Sequence, residues 1–479
     1  MKLNEKGSVT MIVVVTIFFI VILLSSFLIY TSSRRRAQLE ETEKISEAYD
    51  GDMEEIYFGL ATQNDSASAE ASFFDTSYGR IEVVWLDLEN NIIDEPLAPN
   101  TKGMTPIKWE GTAEVETTED DEDWYEYVAG IGTDDNLRSK WANVKDENGS
   151  YFVWIPRYAY RITYYPDETS TKVSGYCDGR GIVDSNGKVQ YPLDEGIKTV
   201  EKDGVSYIVH PAFMDDKIDQ YTHGGWDIDL PGIWVGKYET SEINNSLKII
   251  PNARPKKSLL INECYNLSKG YNSSRESHLI KNSEWGAISY LTHSQYGRNG
   301  HEIDYNNSYE ITGNSSGSSN TSSSDDIKYA YDTLEGQKAS STGNIYGIYD
   351  LSGGCSEYVA MFNSKSSNED LDTGNSFAST GKQSSKYETA YYNQTDEENG
   401  EIIYTIGKIG DATKEVFGRQ KYIFTNWNKD IVKNITLKEA FLNRGYSPWY
   451  GTSCGIFSMK QGKGGVDYST GFRIIIVTN

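Results

Sequence analysis

About twenty consecutive residues without a charge, VTMIVVVTIFFIVILLSSFLIY from Val9 to Tyr30, constrain this chain more than any other feature. Thr and Ser are their polar members, and about 20 apolar residues are enough to cross a bilayer as a helix. A cleaved signal peptide would carry a shorter apolar core and a small-residue cleavage site. Here the pattern runs on as RRRAQLEETEKISEAYDGDMEEIYFGL, cations and then anions without Pro, until Gly51 and Gly59 punctuate it. The expectation is a membrane helix over 9–30 continued by a helical extension over 31–60.

The formal charge of the 479-residue chain is −25, from 45 Lys+Arg against 70 Asp+Glu, which argues against nucleic acid as a partner. Apolar residues make up only 38%, yet 35 Tyr and 10 Trp supply large side chains that folded domains bury and disordered chains lack. Cys177, Cys264, Cys355 and Cys454 are too few and too widely spaced for a disulfide scaffold or a zinc ribbon. Residues 61–139 read as a β-rich spacer: RIEVVWLDLENNII alternates as a strand and turn should, and Glu114 to Asp123 form an acidic run. That run lacks the EF-hand spacing, so it reads as a solvated face. Residues 313–326, GNSSGSSNTSSSDD, read as a mobile low-complexity insertion within the domain that follows.

The leader ending Lys6-Gly7-Ser8 resembles the signals of prepilin-like proteins, which are cut after the Gly, so Gly7 and Ser8 would flank the processing site. The leader with its apolar run resembles pseudopilins and tight-adherence minor pilins, although Ile12 stands where type IV pilins carry Glu. Arg34, Arg35 and Arg36 outnumber Lys2 and Lys6, so a strict positive-inside count opposes the orientation the resemblance implies. That orientation is a single-pass protein of the cell membrane with its large domain extracellular.

Beyond Lys140 the short runs YFVWIPRYAYRI and TGFRIIIV, rich in β-branched and aromatic residues, read as strands. In SEWGAISYLTHSQYG, Trp285, Ile288 and Leu291 fall at i, i+3 and i+6, a short helix. With GIWVGKYETS, TGNIYGIYDLSGGCSEYV and FLNRGYSPWYGTSCGIF, these strings resemble, in order, the formylglycine-generating sulfatase-modifying family. The resemblance covers 140–479 and implies a C-type-lectin-like, loop-rich domain with short antiparallel strands. The whole chain is therefore expected to be α+β, a transmembrane helix and helical extension followed by that domain.

The resemblance further implies a calcium site at the turn DLSGGCSEYV, with the Asp350 carboxylate, the Gly353 and Cys355 carbonyls and the Glu357 carboxylate as ligands, hard oxygens of the kind Ca²⁺ takes. A plain Gly-Gly turn with Glu357 paired to an Arg is the alternative. The family's oxidase needs two neighbouring cysteines before the terminal GFR, and this chain has Cys454 alone there; Ser356 replaces the family's Trp before the Glu of the turn. No enzymatic activity is therefore expected. Gly451-Thr-Ser453-Cys-Gly455 matches the nucleophile-elbow pattern, but no His follows His301 to serve it. The five histidines, His210, His223, His278, His293 and His301, form no H-E-x-x-H and read as structural or surface residues.

What remains is binding. Arg444, Tyr446, Trp449, Tyr450 and Phe457 read as a rigid aromatic surface with a polar clamp, suited to an extracellular protein, peptide or glycan. The alternatives are a structural minor pilin or pseudopilin, which would partner pilus or secretion-system subunits, and an oxidase of the formylglycine-generating type.

Overall fold

The chain divides into two units, Met1–Thr76 and Ser77–Asn479. The computed structural model describes residues 80–130, 138–163, 195–317, 328–391 and 407–478, the last without 414, 416–429, 432–434, 436, 447, 449–450 and 452–453. Everything below concerns the second unit.

The structure is mostly β, 29% strand against 12% helix. Three α-helices occur among the described residues, at Ile261–Tyr271, Asn282–His293 and Leu334–Gln337. At twelve residues the longest of them spans about 18 Å, against about 30 Å of bilayer hydrocarbon. None is long and apolar enough to cross a membrane. The expectation of an α+β chain built on a membrane-spanning helix, with its prepilin-like character and cell-membrane placement, is corrected on this finding. The Val, Ile, Tyr and Trp runs that dominate the chain make strands and leave helix a minor component. The segment Val9–Tyr30, the extension to residue 60 and the processing pair Gly7 and Ser8 lie outside the described residues.

A seven-stranded antiparallel sheet runs in the order His278–Leu279, Ile474–Ile476, Gly232–Gly236, Tyr151–Pro156, Asn143–Lys145, Thr105–Glu110, Ala113–Glu116. Its central strands are buried on both faces. Phe152, Trp154, Trp234, Ile474 and Ile476 enter one core, while Val153, Ile155, Ile233, Val235 and Ile475 enter another. Alternate side chains thus meet different but equally apolar surroundings, which is why these strands read as continuous hydrophobic runs. Trp154 pairs with Trp234 across the ladder, their rings 5.1 Å apart.

A five-stranded antiparallel sheet follows the order Ile92–Ile93, Arg80–Leu86, Tyr158–Thr163, Val205–Val209, Thr199–Lys202. Residues read as a spacer therefore supply strands to both large sheets. A four-stranded sheet orders Met459–Gly462, Phe441–Arg444, Ser356–Tyr358 and Thr470–Phe472, the last pair parallel.

Two arginines stand where the chain leaves one sheet for another. Arg157 separates Tyr151–Pro156 from Tyr158–Thr163, and Arg473 separates Thr470–Phe472 from Ile474–Ile476. Both are fully buried. Arg157 donates to Phe213 O, to Asn90 Oδ1 and to Asp229 Oδ1 (2.8 Å). Arg473 donates to Gly236 O (2.7 Å), Tyr349 O (2.9 Å) and both oxygens of Glu357. At each corner a multi-donor guanidinium ties together acceptors from several separate segments.

The Asn282–His293 helix is buried along its whole length in the core that contains the inner face of the five-stranded sheet. Its Glu284 accepts from the Lys281 backbone N–H (2.8 Å), capping the first turn. Gly286 meets the Gly410 carbonyl so closely that a Cβ there would lie 1.9 Å from the oxygen.

Candidate functional site

The turn DLSGGCSEYV connects buried elements. Asp350 has φ +62°, a left-handed conformation that Asp tolerates, and Gly353 and Gly354 follow at +71° and +68°. A Cβ on Gly353 would sit 2.3 Å from Asn306 O, and one on Gly354 2.7 Å from Glu239 Oε1, so the two glycines are needed for close approach.

Asp350 accepts from Asn306 Nδ2 (2.8 Å) and, through both oxygens, from the Gly313 N–H (2.9 and 3.0 Å). Gly313 to Gly317, the start of the segment read as a mobile insertion, is buried here, with Asn314–Ser315 paired to Tyr329–Ala330; 318–327 lie outside the described residues. Glu357 meets Arg473 in a two-pronged pair, both side chains completely shielded from solvent. Glu239 completes the group: its Oε1 accepts from the Cys355 N–H (2.5 Å) and its Oε2 has no partner. Burial, then the Asp350 and Glu357 charges, push the Glu239 carboxyl well above its usual range. Burial likewise raises Asp350, against the pull of Arg473.

Of the four groups a calcium ion would take here, the Asp350 carboxylate is engaged by N–H donors and both oxygens of the Glu357 carboxylate face the Arg473 guanidinium. A cation cannot share Glu357 with a two-pronged guanidinium, so this arrangement does not fit Ca²⁺, and nothing below is routed through that ion.

The carboxyl-terminal residues are inward-facing. Arg444, Tyr446 and Phe457 are at most 1% exposed. Arg444 bonds Asn282 Oδ1 (2.9 Å), Ala412 O (3.1 Å) and Asp411 O (2.6 Å), tying its strand to the buried helix. Phe457 packs on His293, ring centroids 4.9 Å apart. Trp449 and Tyr450 lie outside the described residues. The aromatic pattern of this segment is therefore largely a packing pattern where it can be described.

Cys264, Cys355 and Cys454 are buried and not joined to one another. Cys454 packs with Tyr305, Ile431 and Tyr446, Cys264 in a separate core, and Cys355 beneath Tyr309 O. Burial, with Glu239 nearby, holds the Cys355 thiol well above the ordinary thiol range.

Among the described residues a solvent-facing cleft of about 270 Å³ lies beside the five-stranded sheet. Its wall includes Glu82, Trp85, Asp94, Lys202, Asp203 and Tyr296. Trp85 and Tyr296 form its aromatic side, ring centroids 4.4 Å apart, and Gln295 fixes that side by bonding both the N–H (3.2 Å) and O (2.7 Å) of Val83. Asp94 and Asp203 are exposed. The sequence motifs gave no notice of this cleft, because its residues come from four separate segments.

No family model matches the chain, and a search of curated proteins finds no match.

Proposed function

We propose that this chain is a non-catalytic recognition protein whose domain is related to the formylglycine-generating sulfatase-modifying family, and that it binds a glycan. Burial of the thiols carries the non-catalytic part of the reading. A thiol that is shielded from solvent is a poor nucleophile and a poor metal ligand, and the oxidase chemistry of the resembled family needs a reactive pair. Cys454 is 4% exposed and packs with Tyr305, Ile431 and Tyr446.

The cleft supports binding and favours a saccharide over an extended peptide. Its volume of about 270 Å³ suits one or two sugar units. The Tyr296 ring, backed by Trp85, offers an apolar face to pyranose C–H groups, while Asp94 and Asp203 offer acceptors to hydroxyls. Asp94 and Asp203 keep their carboxylates in solvent, where a ligand can reach them.

A glycan array probed with the full-length protein tests this. Binding to at least one glycan class is expected, weakened tenfold or more by Tyr296→Ala and by Asp94→Asn. Unchanged binding by both variants would place the ligand elsewhere, and an array without binding would contradict the glycan reading.

A further inference from the structure

We propose that Asp216, Asp219 and His223 form a binding site for one divalent transition-metal ion of the Zn²⁺ class. The three side chains each place a donor atom within 4.8 Å of the others. This group lies on the loop between Pro211–Phe213 and Gly232–Gly236, apart from the Asp350 turn and from the sugar cleft, and the proposal is independent of the glycan reading.

Two buried atoms without partners among the described residues point to a ligand. Asp216, 1% exposed, accepts through Oδ2 from the backbone N–H groups of His223 (2.8 Å) and Gly225 (3.0 Å), which leaves its buried Oδ1 with none. His223, 3% exposed, lies with Nε2 2.6 Å from Glu195 O. A carbonyl only accepts, so Nε2 carries the proton and Nδ1 presents a lone pair; Nδ1 is also buried without a partner. An imidazole whose far N–H is held by a backbone carbonyl is the arrangement that orients metal-ligating histidines. The neighbouring Lys281 ammonium does not supply the missing donor. It bonds Gly225 O (2.8 Å) and lies over the Trp226 ring.

Asp219 is half-buried and completes the group from the solvent side. Gly196 makes room for it: a Cβ there would stand 2.2 Å from Asp219 Oδ2 and 3.2 Å from His223 Nε2. Two carboxylate oxygens and one imidazole nitrogen suit Zn²⁺, Co²⁺ or Mn²⁺, with Zn²⁺ held more tightly than Mn²⁺; Ca²⁺ requires six or more oxygens and Mg²⁺ avoids imidazole.

The test uses Co²⁺ as a coloured probe on chelator-treated full-length protein. One Co²⁺ per chain is expected, with visible d–d bands and no sulfur charge-transfer band, displaced by one equivalent of Zn²⁺. His223→Gln and Asp219→Asn should each weaken binding at least tenfold. Asp219→Asn keeps the test valid if His223→Gln unfolds, because the Asp219 side chain has no hydrogen bond to lose among the described residues; near-UV circular dichroism confirms its fold. Absence of bands, bands unchanged in Asp219→Asn, or bands abolished by blocking thiols would each overturn the site.

Discussion

Arg473→Met is expected to destabilise the domain by roughly 3–5 kcal/mol, the cost of removing one partner from a fully buried ion pair. The side chain is completely buried and donates to both Glu357 oxygens, to Gly236 O and to Tyr349 O. Its loss leaves Glu357 as an uncompensated charge beside Asp350 and Glu239, and takes the guanidinium donors away from the Gly236 and Tyr349 carbonyls. Arg473→Lys should recover only part of the loss, since an ammonium cannot span the four acceptors. The double variant Arg473→Met with Glu357→Leu should be more stable than Arg473→Met alone, because it removes the orphaned charge together with its partner. Urea unfolding of the three variants measures this. An Arg473→Met protein within about 1 kcal/mol of wild type would mean that the corner is not held by this side chain.

Stability should depend on pH with opposite signs at two groups that share the same tyrosines. The His210 ring packs between Tyr160 and Tyr290, at 5.3 and 5.8 Å between centroids, and both tyrosine hydroxyls donate to Glu415. Burial pushes His210 down to about 3 from 6.5. The unfolded chain therefore binds a proton that the folded chain refuses, and this contribution is lost as pH falls below 6.5 toward 3. Burial pushes Glu415 up to about 7 from 4.5, against the two hydroxyl bonds and with the Asp411 charge adding to the rise. Here the folded chain holds a proton that the unfolded one releases, so the contribution is complete below 4.5 and lost as pH rises through 7.

Two variants separate the arms. His210→Asn retains a side-chain acceptor for the Ala212 N–H, which His210 Nδ1 now receives at 3.2 Å. Between pH 7 and pH 5 wild type should lose about 2 kcal/mol relative to that variant. Between pH 6 and pH 8 wild type should lose about 1 kcal/mol relative to Glu415→Gln. Parallel pH curves for wild type and either variant would show that the group does not titrate as its burial requires.

Local periodicity made part of this fold legible in the sequence. Trp285, Ile288 and Leu291 marked the Asn282–His293 helix, and FVWIPRYAYRI and GFRIIIV marked strands. What the runs concealed is that each contains a sheet-to-sheet corner at its arginine, because a buried arginine inside an apolar run has the same periodicity as a strand residue. The Ile261–Tyr271 helix went unread although Ile261, Cys264, Tyr265 and Ser268 are buried at i, i+3, i+4 and i+7. A serine on the inner face and a glycine at 270 weakened its pattern. The acidic run Glu114 to Asp123 within the 61–139 spacer read as a solvated face, yet Glu114 pairs with Lys145 and Asp121 with Lys108 (2.8 Å).

The candidate sites were less legible. Asp350 and Glu357 are eight residues apart inclusive, and spacing alone does not reveal that Arg473, more than a hundred residues later, meets Glu357. All five histidines proved to be buried, His223 among them. Its spacing from Asp216 and Asp219 resembles no common ligand motif, and only the fold brings Glu195 against its ring.

The non-catalytic reading is tested most directly by the reactivity of the native thiols. Cys177 lies outside the described residues, so a full-length Cys177→Ser protein removes it from the measurement. With a colorimetric disulfide reagent, the three remaining thiols should stay silent in the native state and all react in denaturant. A Cys454 that reacts in the folded protein as fast as a free thiol in solution would contradict the account and return oxidase chemistry to consideration.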